Sequence, residues 1–232
     1  MDINLYYTEC GNGEPLVLLH GNGENCAYFV DQIKYFSDFY RVIAVDTRGH
    51  GKSPRGEAPF TLEQFAEDLK ELLDTLRVSK CHLLGFSDGA NIALLFALKY
   101  PQYVDRLILN GADLSPSGVK ALVQIPICIG YGIVSFISIF DKKAVAKKEM
   151  LGLMVIQPHI QPEALVALTM PTLVIVGTKD MIKDSHSHLI AASIPGCTFK
   201  CIEGDHFIAA KQSVAFNAEV EDFLRQNDGK VE

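Results

Sequence analysis

Short apolar runs alternate with amphipathic segments along most of the chain. Five runs consist almost entirely of Val, Ile and Leu, which is typical of parallel strands buried on both faces. They are PLVLLH at 15–20, RVIAVD at 41–46, CHLLGF at 81–86, RLILN at 106–110 and TLVIVG at 172–177. TFKCI at 198–202 alternates more and predicts a strand nearer the sheet edge. Residues 4–9 predict an initial antiparallel strand.

The amphipathic segments between the runs predict helices. Segment 61–76 places its apolar residues on one helical face. Thr61 and Gln64 have the spacing of a capping box, and Phe60 and Phe65 stand at hydrophobic-staple positions. Further helices are predicted at 88–100, which is apolar almost all round, at 184–194 and at 213–225. The alternation predicts an α/β fold, with a mostly parallel central sheet and helices on both faces.

The alternation breaks between Leu114 and Leu168. A long segment without strand signals inside a compact domain is usually functional. We therefore expect one domain, 1–232, with a short lid of one to three helices inserted at about 114–168. Within this segment, residues 121–140 (ALVQIPICIGYGIVSFISIF) carry no charge, and four lysines follow. Pro126 and two glycines favour an apolar lid or binding surface over a membrane span, although contact with a membrane surface through 121–140 stays open.

Composition narrows the class of protein. The chain has 232 residues, a formal net charge of -7 and six scattered cysteines. The negative charge argues against a nucleic-acid partner, whose binding surface would be basic. The cysteines show no CxxC motif or zinc spacing, and the first residues lack the pattern of a signal peptide, so we expect free cysteines in the cytoplasm. A monomer and a homodimer are both compatible with the sequence.

A candidate nucleophile lies in Gly85-Phe86-Ser87-Asp88-Gly89. This G-x-S-x-G sequence follows a buried strand and opens a buried helix, as a nucleophile elbow requires. Small neighbours allow Ser87 to occupy a sharp turn. The helix N-terminus behind Ser87 offers free N–H groups to a developing oxyanion.

The loop His20-Gly21-Asn22-Gly23 follows the strand at 15–20. A glycine-rich turn in this place leaves backbone N–H groups free. We expect the N–H groups of Asn22 and Asp88 to form an oxyanion hole, with Gly23 as the alternative to Asn22.

The candidate base and acid follow the last two predicted strands. His206 lies in Gly204-Asp205-His206-Phe207, and Asp180 lies just past the strand at 172–177. Together with Ser87 they complete the chain order Ser, Asp, His. Asp113, which follows the preceding strand, is the rival acid, and Asp184 is better explained as a helix N-cap.

The remaining histidines have plainer interpretations. We interpret His20 and His50, which lie in glycine turns, as structural, and His82 opens a strand. His159 lies in the lid segment and could face a pocket. His186 and His188 are two apart on a helix, which makes them poor co-ligands for a metal. Residues 46–53 (DTRGHGKS) form a tight turn to which we also assign a structural role.

Taken together, the motifs HGNG, DTRGHGKS, GFSDGA, GTKD and GDHF resemble those of the α/β-hydrolase superfamily, in family order and over nearly the whole chain. The elbow, with its acidic residue after Ser87, is similar to that of valacyclovir-hydrolase-like esterases. Ser87 argues against the dehalogenases and epoxide hydrolases of the superfamily, which use an aspartate nucleophile.

The resemblance implies a serine hydrolase that needs no metal or organic cofactor and takes a small-molecule ester. We expect a small or medium apolar carboxylic ester, cleaved through an acyl-enzyme. Thioester, amide or lactone hydrolysis, or perhydrolysis, on the same triad remains an alternative. A non-catalytic ligand-binding protein of this fold and a lipase acting at membrane surfaces are two more.

Overall fold

A computed structural model describes residues 2–226, so residue 1 and residues 227–232 of the predicted domain lie outside the described part. The described residues form a seven-stranded sheet in the order β1-β3-β2-β4-β5-β6-β7. Its strands are β1 (Tyr7–Cys10), β2 (Pro15–Leu19), β3 (Arg41–Val45), β4 (Cys81–Phe86), β5 (Val104–Asn110), β6 (Thr172–Gly177) and β7 (Thr198–Ile202). β1 pairs with β3 in the antiparallel sense and the other neighbours are parallel, which confirms the predicted sheet.

Helices cover both faces of this sheet, as predicted. In the described residues they are α1 (Val30–Phe36), α2 (Leu62–Thr75), α3 (Asp88–Lys99), α4 (Ala121–Ile137), α5 (Ala144–Ile156), α6 (Asp184–Ser193), α7 (Ile208–Lys211) and α8 (Ser213–Arg225). One face packs mainly on α2, α3 and α6. The other face packs on α1, α7 and α8. The buried strands therefore have apolar partners on both sides, which explains their continuous Val, Ile and Leu runs.

The start of α2 matches the sequence signals in part. The Thr61 hydroxyl accepts a hydrogen bond from the Gln64 N–H, and the Phe60 and Phe65 rings contact each other edge to face at 4.9 Å. The second half of the predicted capping box is wrong. The Gln64 side chain donates to Asp68 instead of returning to Thr61. The Asp68 carboxylate binds the buried Arg48 and also accepts a hydrogen bond from the Gln64 amide.

The N-cap prediction for Asp184 is also wrong. Asp184 is the first residue of α6, and the extended residue before the helix is Lys183. The Asp184 carboxylate is exposed and lies 3.5 Å from the Lys120 ammonium. Its charge lies in the first turn of α6, where it interacts favourably with the helix dipole.

The segment between β5 and β6 contains two α-helices, α4 and α5, within the predicted range of one to three. They pack against each other, and the Gln124 amide of α4 donates to the Met154 carbonyl of α5 at 3.0 Å. A bidentate ion pair between Arg55 and Glu149 ties α5 to the loop after β3. No helix among residues 2–226 combines the length and the apolar character needed to cross a bilayer.

The turn at 46–53 has the structural contacts predicted for it. The Asp46 carboxylate accepts from the N–H groups of Cys26 and Lys52. The Arg48 guanidinium is fully buried and binds the carboxylates of Asp68 and Asp2. This turn therefore joins the N-terminal segment, the loop after β2 and helix α2.

Candidate active site

Ser87 occupies the turn between β4 and α3 in a backbone conformation that side chains rarely adopt, with φ 54° and ψ -123°. Its N–H donates to the Asn110 carbonyl of β5 at 2.8 Å, which holds the turn against the sheet. The flanking glycines are required sterically. A Cβ on Gly85 would lie 2.2 Å from the Gly89 carbonyl oxygen, and a Cβ on Gly89 would lie 2.1 Å from the Leu19 oxygen. The strained turn presents Ser87 at the carboxyl edge of the sheet.

His206 and Asp180 meet at the same edge, after β7 and β6. His206 Nδ1 lies 2.7 Å from Asp180 Oδ1, and both side chains are buried, at 4% and 2% exposure. The Ile182 N–H also donates to Asp180 Oδ1, at 2.9 Å. An ionised carboxylate can only accept, so Nδ1 is the donor. His206 Nε2 is buried and has no hydrogen-bond partner among residues 2–226, so it is available as an acceptor.

Gly111, directly after β5, is a site residue that the sequence reasoning missed. Its φ is +65°, and a Cβ there would lie 2.6 Å from His206 Cε1 and 3.5 Å from Asp180 Oδ2. The close approach of the imidazole therefore requires a glycine. The available signal was a glycine directly after a buried strand, where a backbone turn or a close approach is common.

Asp113, the rival acid, lies in a different network. Its carboxylate accepts from the Asn91 amide at 2.8 Å, and its N–H donates to the Asn91 side-chain oxygen at 2.9 Å. Burial, and to a smaller extent the charge of the nearby Asp88 carboxylate, raises the pKa of Asp113 to about 7. Burial also raises the pKa of Asp88, against hydrogen bonds from Asn22 and Asn91. The structure thus brings Asp180, and not Asp113, to His206.

Asn22 lies in the loop after β2, next to the start of α3. Its side-chain amide donates to Asp88 Oδ2 at 2.9 Å and to the Met150 carbonyl of α5 at 2.9 Å. This residue therefore ties the glycine loop to the residue after Ser87 and to helix α5. Gly23 follows with φ +75° and is exposed. The first N–H groups of a helix lack intrahelical acceptors, so the Asp88 N–H is available beside Ser87.

A groove of about 430 Å³ opens beside His206. Asp180, His206 and Phe207 form one side of it, and Leu122 and Val123 of α4 contribute apolar surface. The first turn of α4 thus forms part of the wall next to the imidazole.

The other histidines lie in surroundings of different kinds. His20 Nε2 accepts from the Thr47 N–H at 3.1 Å, and burial lowers its pKa to about 4. His186 Nε2 accepts from the Leu114 N–H at 2.9 Å, whereas His188 lies against the Phe199 ring. His159 is exposed. Among residues 2–226, no three His, Cys, Asp or Glu side chains are arranged to hold a metal ion.

Comparisons with known proteins support the fold. A family model described as "alpha/beta hydrolase fold" matches residues 14–127. "Serine hydrolase BPHL" of Homo sapiens is 27% identical over 96% of this chain and 84% of its own length. A thermophilic esterase from Thermogutta terrifontis superposes with a TM-score of 0.78 at 26% identity, over 96% of this chain and 93% of that one. The enol-lactonase from Burkholderia xenovorans LB400 superposes with a TM-score of 0.81 at 21% identity, over 97% of both chains, and supports the fold.

Proposed function

Because the chain belongs to the α/β-hydrolase superfamily, we propose that it is a serine hydrolase in which Ser87 is the nucleophile, His206 the base and Asp180 the orienting acid. The observation that carries the proposal is the 2.7 Å contact between His206 Nδ1 and Asp180 Oδ1, which leaves Nε2 free on the other side of the ring. A neutral imidazole held in this tautomer can accept the proton of a serine hydroxyl.

The proposed reaction is acyl transfer to Ser87. Ser87 Oγ attacks the carbonyl carbon while His206 Nε2 takes its proton, and Asp180 stabilises the imidazolium. The N–H groups of Asn22 and Asp88 bind the oxyanion, each contributing about 3–4 kcal/mol to the transition state. The imidazolium then protonates the leaving alkoxide. A water molecule, activated by the neutral His206, hydrolyses the acyl-enzyme.

We infer a small or medium apolar carboxylic ester as substrate. Leu122 and Val123 supply apolar surface in the groove beside His206, and this groove is open to solvent. The catalytic unit in this proposal is the single domain 1–232, with a lid at about 114–168. The cytoplasmic location and the oligomeric state stay predictions.

Labelling with a fluorophosphonate probe tests the nucleophile directly. The native chain should be labelled at one site, and Ser87→Ala should not be labelled. Ser117→Ala, at an exposed serine of the lid segment, serves as the matched control and should be labelled like the native chain. Absence of labelling in the native chain, or equal labelling of Ser87→Ala, would contradict the proposal.

A panel of p-nitrophenyl esters of increasing acyl length then tests the substrate class. We expect the highest kcat/KM for short and medium chains. Higher turnover of thioesters, amides or lactones, or perhydrolysis in the presence of peroxide, would assign the same triad to that alternative. Stabilisation by these compounds without turnover would favour a non-catalytic ligand-binding protein.

A further inference from the structure

Helix α4 exposes an apolar stripe along its outer side. Its members recur every three or four residues from the first turn of α4 to just past its end, and each is more than half exposed. They are Leu122, Ile125, Ile129, Ile133, Phe136 and Phe140, and we call them the outer stripe. Leu122 is 92% exposed and Phe140 is 78% exposed. Soluble proteins rarely expose a contiguous apolar surface of this kind without a partner.

The inner side of α4 explains why the stripe faces outward. Gln124 donates to the Met154 carbonyl, and Val134 is the buried residue of the helix. Gly130 and Gly152 lie at the contact between α4 and α5, next to Leu151 and Tyr131 respectively. These contacts fix the rotation of α4 about its axis, so the outer stripe cannot turn toward the protein interior without breaking them.

Four lysines follow the stripe directly. Lys142, Lys143 and Lys147 are exposed and Lys148 is half-buried. Within residues 2–226 none of the four has a carboxylate within salt-bridge distance. Asp141 is the one acidic residue between positions 121 and 148 of the sequence. The region is therefore locally basic in a chain whose formal net charge is -7.

We propose that the outer stripe and these four lysines form a docking surface for a membrane containing anionic lipid. Exposed apolar side chains, followed along the chain by lysines without a carboxylate partner among residues 2–226, suit the boundary between acyl chains and anionic headgroups. A second copy of this chain is a less suitable partner for this surface than an anionic membrane. A two-fold interface presents the same patch from both copies, so it would collect eight lysines with Asp141 as their acidic neighbour.

The dimensions of α4 indicate that it would lie in the membrane surface and not cross it. Its 17 residues extend about 26 Å, shorter than the hydrocarbon core of about 30 Å, and Pro126 lies inside it. Leu122 belongs to the outer stripe and also lines the groove beside His206. Docking would therefore place the groove at the lipid surface. This inference concerns binding and stands independently of the proposed function.

Vesicle sedimentation with the full chain carrying Ser87→Ala tests the docking without any hydrolysis. The protein should bind vesicles of phosphatidylcholine mixed with phosphatidylserine, and binding should weaken as salt is added. Ile129→Asp combined with Ile133→Asp should reduce binding at least tenfold. Val214→Asp, at an exposed apolar residue of α8, should leave it unchanged. Lys142→Glu and Lys143→Glu should each reduce binding about fivefold or more, whereas Lys34→Glu on α1 should not.

A fluorescent label identifies the face that docks. Cys128 lies exposed on α4 and Cys201 lies exposed on β7, so an environment-sensitive dye can be attached to either one after the other exposed cysteines are changed to serine. Vesicles should shift the emission of the Cys128 label to the blue and leave the Cys201 label unchanged. Circular dichroism of each variant checks that it folds.

Three outcomes would overturn the proposal. They are no binding of the parent chain to mixed vesicles, equal binding by the stripe variants, and a shift of the Cys201 label together with the Cys128 label. A concentration-dependent dimer that Ile129→Asp abolishes, with no vesicle binding, would assign the outer stripe to a second copy.

Discussion

Asp180 and Asp113 follow neighbouring strands and are both buried, but their hydrogen bonds differ. Asp180 accepts from His206, whereas Asp113 exchanges two hydrogen bonds with Asn91. A carboxylate that orients a catalytic imidazole must contact its Nδ1. The geometry therefore separates two candidates that the sequence left open.

Replacement of each acid by its amide tests this difference. In Asp180→Asn the amide can no longer hold the imidazole as the carboxylate does, so we expect kcat to fall by a factor on the order of 10⁴. Asp113→Asn should retain activity within about tenfold, since a neutral amide preserves the acceptor that faces Asn91. Hydrolysis of p-nitrophenyl acetate measures the activity of both variants. Similar losses in the two variants would contradict the assignment of Asp180.

The raised pKa of Asp113 predicts a pH-dependent stability. The folded chain favours the protonated form of Asp113. The stability gained from this preference is complete below the ordinary pKa of 3.8 and is lost as the pH rises toward about 7. Asp113→Asn cannot ionise. We expect its free energy of unfolding to exceed that of the native chain by an amount that grows between pH 5 and pH 8, on the order of 2–4 kcal/mol in total.

Urea unfolding at a series of pH values measures this difference. Asp184→Asn, at an exposed carboxylate, is the control and should show no such trend. If the free energies of unfolding of Asp113→Asn and the native chain differ by the same amount at every pH, the pKa of Asp113 lies near its ordinary value.

At the scale of elements, the turn after β5 controls the position of the imidazole. Gly111→Ala would introduce backbone strain at φ +65° and a Cβ 2.6 Å from His206 Cε1. Gly196 has φ +66° with nothing within 4 Å of the added Cβ, so Gly196→Ala carries the strain alone. Both variants should lose about 1–2 kcal/mol of stability to this strain, and Gly111→Ala should lose more because of the added contact with His206. Gly111→Ala should in addition lose about 100-fold in kcat, because the imidazole is displaced.

Measurement of kcat and thermal unfolding on the same pair separates the two effects. Full activity of Gly111→Ala would mean that His206 tolerates the displacement, and the role of Gly111 in positioning it would be withdrawn.

Local signals account for the elements that were predicted well. The start of α2 depends on Thr61 and on the Phe60–Phe65 contact, which join residues a few positions apart. The partner of Gln64 was missed because Asp68 is held by Arg48, twenty positions away in sequence. The N-cap of α6 was misplaced by one residue, since Asp184 suits the first turn as well as the cap position.

At the scale of the whole molecule, Arg48 joins distant segments. It is fully buried, binds Asp68 of α2 through two hydrogen bonds and also binds Asp2. Arg48→Met would leave the buried Asp68 carboxylate without its counter-ion, which typically costs about 3–5 kcal/mol. Adding Asp68→Leu should recover part of that loss, because both charges are then absent.

Urea unfolding of these variants checks the prediction. Arg41→Met is the control, since Arg41 pairs with Glu9 in a more exposed ion pair that should be worth less than about 1 kcal/mol. Equal destabilisation by Arg41→Met and Arg48→Met would show that burial does not govern the strength of these pairs.

The sequence by itself determined the α/β architecture and the places of the candidate residues. Continuous apolar runs require burial on two faces, and parallel strands bring their carboxyl ends to one edge of the sheet. Ser87 and Asp180 follow such runs, and His206 follows the more alternating strand at 198–202, so their neighbourhood could be inferred without coordinates.

Tertiary structure alone decided which acid meets His206, why Gly111 must be a glycine and which side of α4 faces outward. Each depends on contacts between residues far apart in sequence, such as Gly111 with His206 and Gln124 with Met154. The apolar pattern of a helix predicts how much of its surface is apolar. The packing of α4 on α5 decides in which direction that surface faces.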